Sequence, residues 1–243
     1  MAEERTDEEQ IEALKLWWAE NGMKTIAAIV LVVGGYFGWE SWTQTVKAES
    51  EQASKIWQDT LAIAETEQSG NSLNEEQKET INENIALLKS DHSKTGYAHF
   101  AATLKAKLAV ESGDLDTAAT ELQWSLDNGP VPATQTIVKL RLARVEAARG
   151  NFDIALQMLQ GVDAGAHKAA FDEARGDFHR QLGNDAAAYT AYESAMAASQ
   201  SSDPIVRNVL ALKLGQVRSA SPDLASDSAV VETTDSAVVE TVK

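Results

Sequence analysis

The chain has 243 residues, 44% of them hydrophobic, with 4 prolines and 14 glycines, a composition that favours helix over sheet. Its 21 basic and 37 acidic side chains give a formal charge of −16, and no long Lys/Arg run occurs; nucleic-acid binding, which needs clustered cations, is argued against. Cysteine is absent, which excludes disulfides, thiolate zinc sites and a cysteine nucleophile, and fits an oxidising compartment without establishing one.

Residues 1–22 read as an amphipathic leader. Thr6-Asp7-Glu8-Glu9 has capping-box spacing, Ile11, Leu14 and Trp18 form an apolar stripe, and Asn21-Gly22 is a helix-stop signal. A short helix lying at a membrane surface is therefore predicted. The uncharged run Thr25–Trp39 follows. Extended over residues 23–42 it spans about 30 Å, the thickness of a bilayer's hydrocarbon core, with Lys24 and Glu40 reaching the interfaces. Trp17 and Trp18 precede the run and Trp39 and Trp42 close it, as an interfacial aromatic belt would. The predicted contact partner of residues 23–42 is thus the lipid bilayer. A cleaved signal peptide should start short and basic and end in small residues, whereas this leader is long and acidic and the exit reads Trp39-Glu40-Ser41-Trp42; an uncleaved anchor is expected. Lysines flank the run on both sides, and Lys24, the nearest, favours a cytoplasmic amino terminus. Gly34 and Gly38 have the small-xxx-small spacing that admits a second membrane helix, so a homo-oligomer through this face stays open.

From residue 43 to 218 the pattern is helical throughout. Val46, Ala53, Trp57, Leu61 and Ala64 recur at helical spacing, which predicts that the membrane helix runs on to a turn at Ser69-Gly70-Asn71. A second helix beginning near Asn74, with Ile81, Ile85 and Leu88 on one face, would complete a hairpin. Three related stretches come next, with Gly113-Asp114, Gly150-Asn151 and Gly183-Asn184 at their centres, 37 and then 33 residues apart. Each glycine is placed to end one helix and each Asp or Asn to cap the next, and an alanine five residues on (Ala118, Ala155, Ala188) leaves room for a neighbouring helix. First helices carry Leu104 and Leu108, then Leu142 and Val145; second helices carry Leu122 and Leu126, Leu156 and Leu159, then Tyr189 and Tyr192. Asp203-Pro204 starts a terminal capping helix with Val206, Val209, Leu210 and Leu214. Residues 219–243 form an acidic tail in which Ser228-Ala-Val-Val-Glu-Thr233 recurs as Ser236-Ala-Val-Val-Glu-Thr241; with little apolar surface to offset ordering entropy, it reads as disordered.

A helix-turn-helix unit of about 34 residues with this Gly-x-Leu/aromatic-x-x-Ala signature resembles the tetratricopeptide repeat. The third copy departs from it, having Asp185 where a large apolar residue is usual, and the closing proline is clear only at Pro130. The fold class expected is all-α: one N-terminal transmembrane helix followed by a tetratricopeptide-like solenoid. Such a solenoid binds through the concave face lined by its first helices. The repeat geometry places Phe100, Thr103 and Lys107 there, then Leu140 and Arg144, then Glu173, Asp177 and Arg180. Lys107, Arg144 and Arg180 would offer positive points to a partner's carboxylates, unless Arg144 and Asp177 pair with each other or with water.

A closer resemblance joins these parts. Glu12-Ala-Leu-Lys-Leu-Trp-Trp-Ala-Glu-Asn-Gly22, the span ending Gly38-Trp-Glu-Ser-Trp42, Leu140-Arg-Leu-Ala-Arg-Val145 and Ala174-Arg-Gly-Asp177 together resemble the YfgM family over most of residues 8–200. The resemblance implies an ancillary subunit of the SecYEG translocon in the bacterial inner membrane. It also implies a periplasmic tetratricopeptide-like domain that joins PpiD, a membrane-anchored chaperone of the prolyl-isomerase type. The tail lies outside it.

No phosphate loop, no Gly-x-Ser-x-Gly elbow and no His-Glu-x-x-His helix occurs, so no catalytic residue, cofactor site or metal site is assigned. His92 and His99 are separated by the Ser93–Gly96 turn, and they, His167 and His179 are expected at the surface. Asp172, Glu173, Asp177 and His179 are the densest set of candidate ligands, but Arg180 lies beside them and a solvated or groove-lining face is expected. The expected function is a non-catalytic adaptor that holds a chaperone near the translocon. The alternatives are a self-assembling envelope scaffold and a holdase that binds unfolded clients directly; no large exposed apolar groove favouring the holdase is legible in the sequence.

Overall fold

The computed structural model describes residues 7–68, 73–199 and 204–220, and among these there is no β-strand. The chain divides into two compact units, Met1–Lys55 and Ile56–Lys243. The first helix, α1 (Asp7–Gln68), belongs to both. Thr6, the Ser69-Gly70-Asn71 turn, Asp203 and the tail beyond residue 220 lie outside the described residues.

In the first unit the predicted stop at Asn21-Gly22 does not occur, because α1 passes straight through it. Asn21 turns its amide inward on the helix, donating to the Trp17 carbonyl at 3.3 Å, and accepts through its own carbonyl from the Thr25 hydroxyl at 3.0 Å. The Trp18 ring covers Gly22, where a Cβ would stand 3.1 Å from Cε2. A stop signal is a local preference of about 1 kcal/mol, and an uninterrupted backbone ladder outweighs it. Among the described residues one helix is long and apolar enough to cross a membrane, Glu8–Glu65, and only 6% of its apolar window is buried. That figure separates it from the core helix of a soluble domain, whose apolar face is covered. Trp17, Trp18, Trp39 and Trp42 are all exposed, and the last two rings sit 5.4 Å apart. Thr43 and Thr45 return their hydroxyls to the Trp39 and Ser41 carbonyls, which satisfies them within the helix. A Cβ built on Gly34 or Gly38 meets nothing within 4 Å, so both present bare backbone.

The second unit begins with the end of α1 and continues through α2 (Glu75–Asp91), α3 (Gly96–Glu111), α4 (Leu115–Asp127), α5 (Pro132–Ala148), α6 (Phe152–Leu159), α7 (Lys168–Gln181), α8 (Asp185–Ala198) and α9 (Pro204–Ala220). Asn74 caps α2 with a full capping box: its side chain accepts from the Gln77 amide at 2.8 Å, and the Gln77 side chain accepts from the Asn74 amide at 3.0 Å.

The three repeats are α3/α4, α5/α6 and α7/α8, and their turns are built alike. Gly113, Gly150 and Gly183 have φ of 81°, 87° and 74°, the left-handed region glycine enters without a Cβ penalty. The amide after each glycine reaches back five residues, Asp114 to Ala109, Asn151 to Glu146 and Asn184 to His179, at 2.8, 2.9 and 2.9 Å. With the glycine amides bonded three residues back, this is one Schellman motif repeated three times. Of the predicted caps only Asp114 accepts a side-chain cap bond, from the Thr117 amide; Asn151 instead donates to Glu146.

Ala118, Ala155 and Ala188 are fully buried, as a close helix approach requires. The core is a row of inter-helix layers. Val138, Leu142 and Val145 of α5 pack on Ala106 and Ala109 of α3 and on Leu122 of α4. The next layer sets Leu140, Ala143 and Ala147 against Leu159, Phe171 and Phe178, and the last sets Tyr192 and Ala195 of α8 against Leu210 and Val217 of α9. Each repeat thus buries its apolar face only against its neighbours, the mark of a solenoid. On α9 the buried positions are Leu210 and Val217 with Leu214 partly covered, while Val206 and Val209 are exposed.

Candidate functional site: an apolar groove with a cationic rim

A cavity of about 750 Å³ opens beside the first core layer: Ala106, Leu122, Val138 and Val145 of that layer form its floor, and Trp57, Leu61 and Ala64 of α1 line it on one side. Phe100, Thr103, Leu104, Lys107 and Val110 come from α3, and Ile137, Arg141 and Arg144 from α5. The Trp57 and Phe100 rings lie 5.9 Å apart, and Phe100 and Val110 remain about half exposed, so apolar surface faces water here. Burying such surface is favourable for any partner that can fill it.

Charge distinguishes this face from the rest of a strongly acidic chain. Lys107, Arg141 and Arg144 stand at its rim, and among the described residues that line it Glu111, 3.3 Å from Lys107, is the one carboxylate. Among the described residues Arg141 and Arg144 have no ion pair, so their guanidinium groups face solvent with all donors available. An apolar floor under unpaired cations suits an apolar segment that carries carboxylates. The holdase alternative therefore meets a groove that was not legible in the sequence.

The equivalent face of the third repeat is closed. Lys213 of α9 donates to Glu173 at 2.7 Å and to both oxygens of Asp177 at 2.8 Å. Tyr192 of α8 donates to Asp177 at 2.7 Å, and Arg180 donates to Gln216. Burial works against the Lys213 charge, but its bonds to Asp177 and Glu173 outweigh that and hold its pKa above the ordinary lysine value. Burial, with the Asp177 carboxylate, drives the Tyr192 phenol well above its own.

Two buried polar groups tie helices together, and one of them centres on Asp172, which the sequence placed on a solvated or groove-lining face. Asp172, 4% exposed, accepts from Lys168, from Arg175 at 2.9 Å and from Ser194 at 2.7 Å, and Arg175 also donates to the Leu159 carbonyl. Burial alone would raise the Asp172 pKa; Lys168, Ser194 and Arg175 together hold it below the usual carboxylate value. Glu121 of α4, also buried, is bridged by Lys89 of α2 at 2.5 Å and Lys105 of α3 at 3.1 Å, with Lys89 lying over the Trp124 ring. His99 Nδ1 lies 3.1 Å from Ser125 Oγ beneath it, and burial pushes the imidazole below its usual pKa. His92 and His99 are thus buried rather than at the surface, because α2, α3 and α4 pack around them.

The structure gathers Phe100, Thr103, Lys107 and Arg144 at one groove. It does not bring the other sequence-predicted residues there: Leu140 is buried in the second core layer, and Glu173, Asp177 and Arg180 lie under α9. Asp177 pairs with Lys213 instead of with Arg144. Trp57, Ile137 and Arg141 were missed. Arg141 lies three residues before Arg144 on the same helix face, a spacing that could have pointed to it.

Paired helices, repeated Schellman turns and a lined inner face define a tetratricopeptide-like repeat protein, and residues 15–219 match the Tetratricopeptide repeat-like domain family. The chain belongs to the YfgM family, whose curated members carry the name ancillary SecYEG translocon subunit. The relative from Haemophilus influenzae is 33% identical over 217 residues, covering 89% of this chain and 100% of its own. The relative from Aggregatibacter actinomycetemcomitans is 31% identical, covering 78% and 88%, and that from Escherichia coli is 26% identical, covering 77% and 86%. Among solved structures, BtubC (BKLC) from P. vanneervenii superposes with a TM-score of 0.54 at 16% identity, over 78% of this chain and 89% of that one; this likeness concerns the fold alone.

Proposed function

We propose that this chain is a membrane-anchored, non-catalytic adaptor at the Sec translocon. Residues 23–42 would cross the bacterial inner membrane with the amino terminus cytoplasmic and the helical repeat periplasmic. There the repeat would hold a PpiD-like, membrane-anchored chaperone where envelope proteins emerge. The name shared by the curated relatives supports the translocon, and the exposed apolar window of α1 supports the anchor. The groove carries the adaptor reading: it joins an apolar floor to two unpaired arginines, which is a recognition surface without an acid–base pair or nucleophile placed to react. Anchoring confines that surface to the membrane plane and raises its effective concentration for any partner there.

The test is isolation of native complexes in mild detergent. Translocon subunits and a membrane-anchored chaperone are expected with the natural chain, and the chaperone is expected to fall away from Arg141→Glu/Arg144→Glu. Complexes lacking both would overturn the proposal. The exposed Phe100 and Val110 favour a second reading, direct holding of unfolded clients. It requires that the full chain in detergent suppress aggregation of an unrelated unfolded protein, and that Val110→Asp abolish the effect.

A further inference from the structure

The groove and the tail are chemically complementary. The groove offers exposed apolar surface under Lys107, Arg141 and Arg144, in a chain that is otherwise acidic. Residues 219–243 contain five acidic side chains and one lysine, and their apolar residues are concentrated in two copies of Ala-Val-Val-Glu, at 229–232 and 237–240. In each copy a valine pair of the size to enter an apolar groove is followed directly by a carboxylate that a rim arginine can take in a bidentate bond. Nothing else in the second half of the sequence repeats this way, and the family resemblance does not extend to it.

We propose that the groove between α3 and α5 is occupied in the free protein by the chain's own tail, through Val230-Val231-Glu232 or Val238-Val239-Glu240. Reach permits it. From Ala220 to Val238 is 18 residues, about 60 Å when extended. Neighbouring helices pack about 8–10 Å apart, so the steps from α9 past α7 to α5 and α3 need roughly half of that. Either copy can dock, and release of one leaves the other at an effective concentration in the millimolar range. Weak self-docking of this kind screens the apolar groove from chance partners and yields to a partner segment that binds more tightly. Such docking involves only this groove and this tail and is independent of any association with the translocon.

The experiment places a photoreactive residue at Val230 or at Val238 of the full chain in mild detergent. After irradiation at low ionic strength, crosslinked peptides are mapped by mass spectrometry in a mixture of isotopically heavy and light chains. Crosslinks within one chain to the peptides of α3 and α5 are expected. Their yield should fall several-fold in Arg141→Glu/Arg144→Glu, and also on raising the salt to 0.5 M. Because both arginines are exposed, the variant should keep its helicity and melting temperature, which are measured alongside. Crosslinks scattered over other helices, crosslinks only between heavy and light chains, or a yield unmoved by the charge reversal would each overturn the proposal.

Discussion

The inner face of the first two repeats and that of the third have opposite states. Where the first repeat meets the second, Lys107 of α3 and Arg141 and Arg144 of α5 surround an open apolar groove. On the third, Glu173 and Asp177 are taken up by Lys213, and α9 lies over them. The difference teaches that the repeat supplies a scaffold, while the charge at a few positions decides whether a face is used inside the molecule or left for a partner. A terminal helix that brings one well-placed cation closes its face; two arginines without carboxylates keep theirs open.

The sharpest way to break the closed side is Asp172→Ala. It removes the buried acceptor shared by Lys168, Arg175 and Ser194, and the expected cost is about 2–3 kcal/mol in denaturant unfolding, moderated because Lys168 can turn to water. Next comes Gly176→Ala. A Cβ there would stand 2.4 Å from Cε1 of the fully buried Tyr192, so α7 and α8 must part; a loss of about 1–2 kcal/mol is expected after the helix-propensity gain of alanine. Gly215→Ala in α9, with nothing within 4 Å, is the control and should stabilise by roughly 0.5–1 kcal/mol.

Lys213→Met should cost about 1–2 kcal/mol and free Glu173 and Asp177, turning the third face acidic and open. The pH dependence follows from the same residues. The Asp172 pKa is lowered by folding, so its contribution is fully present above the ordinary carboxylate value of about 4 and is lost as pH falls through the lower folded value. The Lys213 pKa is raised by folding, so its contribution is fully present below the ordinary lysine value of about 10.4 and is lost as pH rises through the higher folded value. Melting temperatures across pH should show both limbs, and Lys213→Met should weaken the alkaline one, the remainder belonging to Tyr192, whose pKa folding also raises. The smallest effect on stability belongs to Arg141→Glu/Arg144→Glu, within about 0.5 kcal/mol, since both side chains are exposed.

Backbone and helix order were legible because they repeat. Gly113, Gly150 and Gly183 punctuate the chain at near-constant spacing, and the alanines that follow mark where helices meet. What was not legible depends on pairs of residues distant in sequence. Glu121 looks like an ordinary helix-surface residue until Lys89 and Lys105 converge on it. Lys213 was indistinguishable from any surface lysine before α9 was seen to lie on α7. Leu140 failed as a groove residue for a related reason: α5 is apolar on two faces, and periodicity alone does not say which one meets α7. At Asn21-Gly22 a local stop signal was overridden by the helix on either side.

The central claim is that the groove between α3 and α5 is the face partners meet, and in-membrane photo-crosslinking with the probe at Arg144 or at Asp177 tests it most directly. Crosslinks to another membrane protein from Arg144, with Asp177 giving only contacts within the chain to α8 and α9, are the predicted result. Partner crosslinks from Asp177 and none from Arg144 would contradict the account.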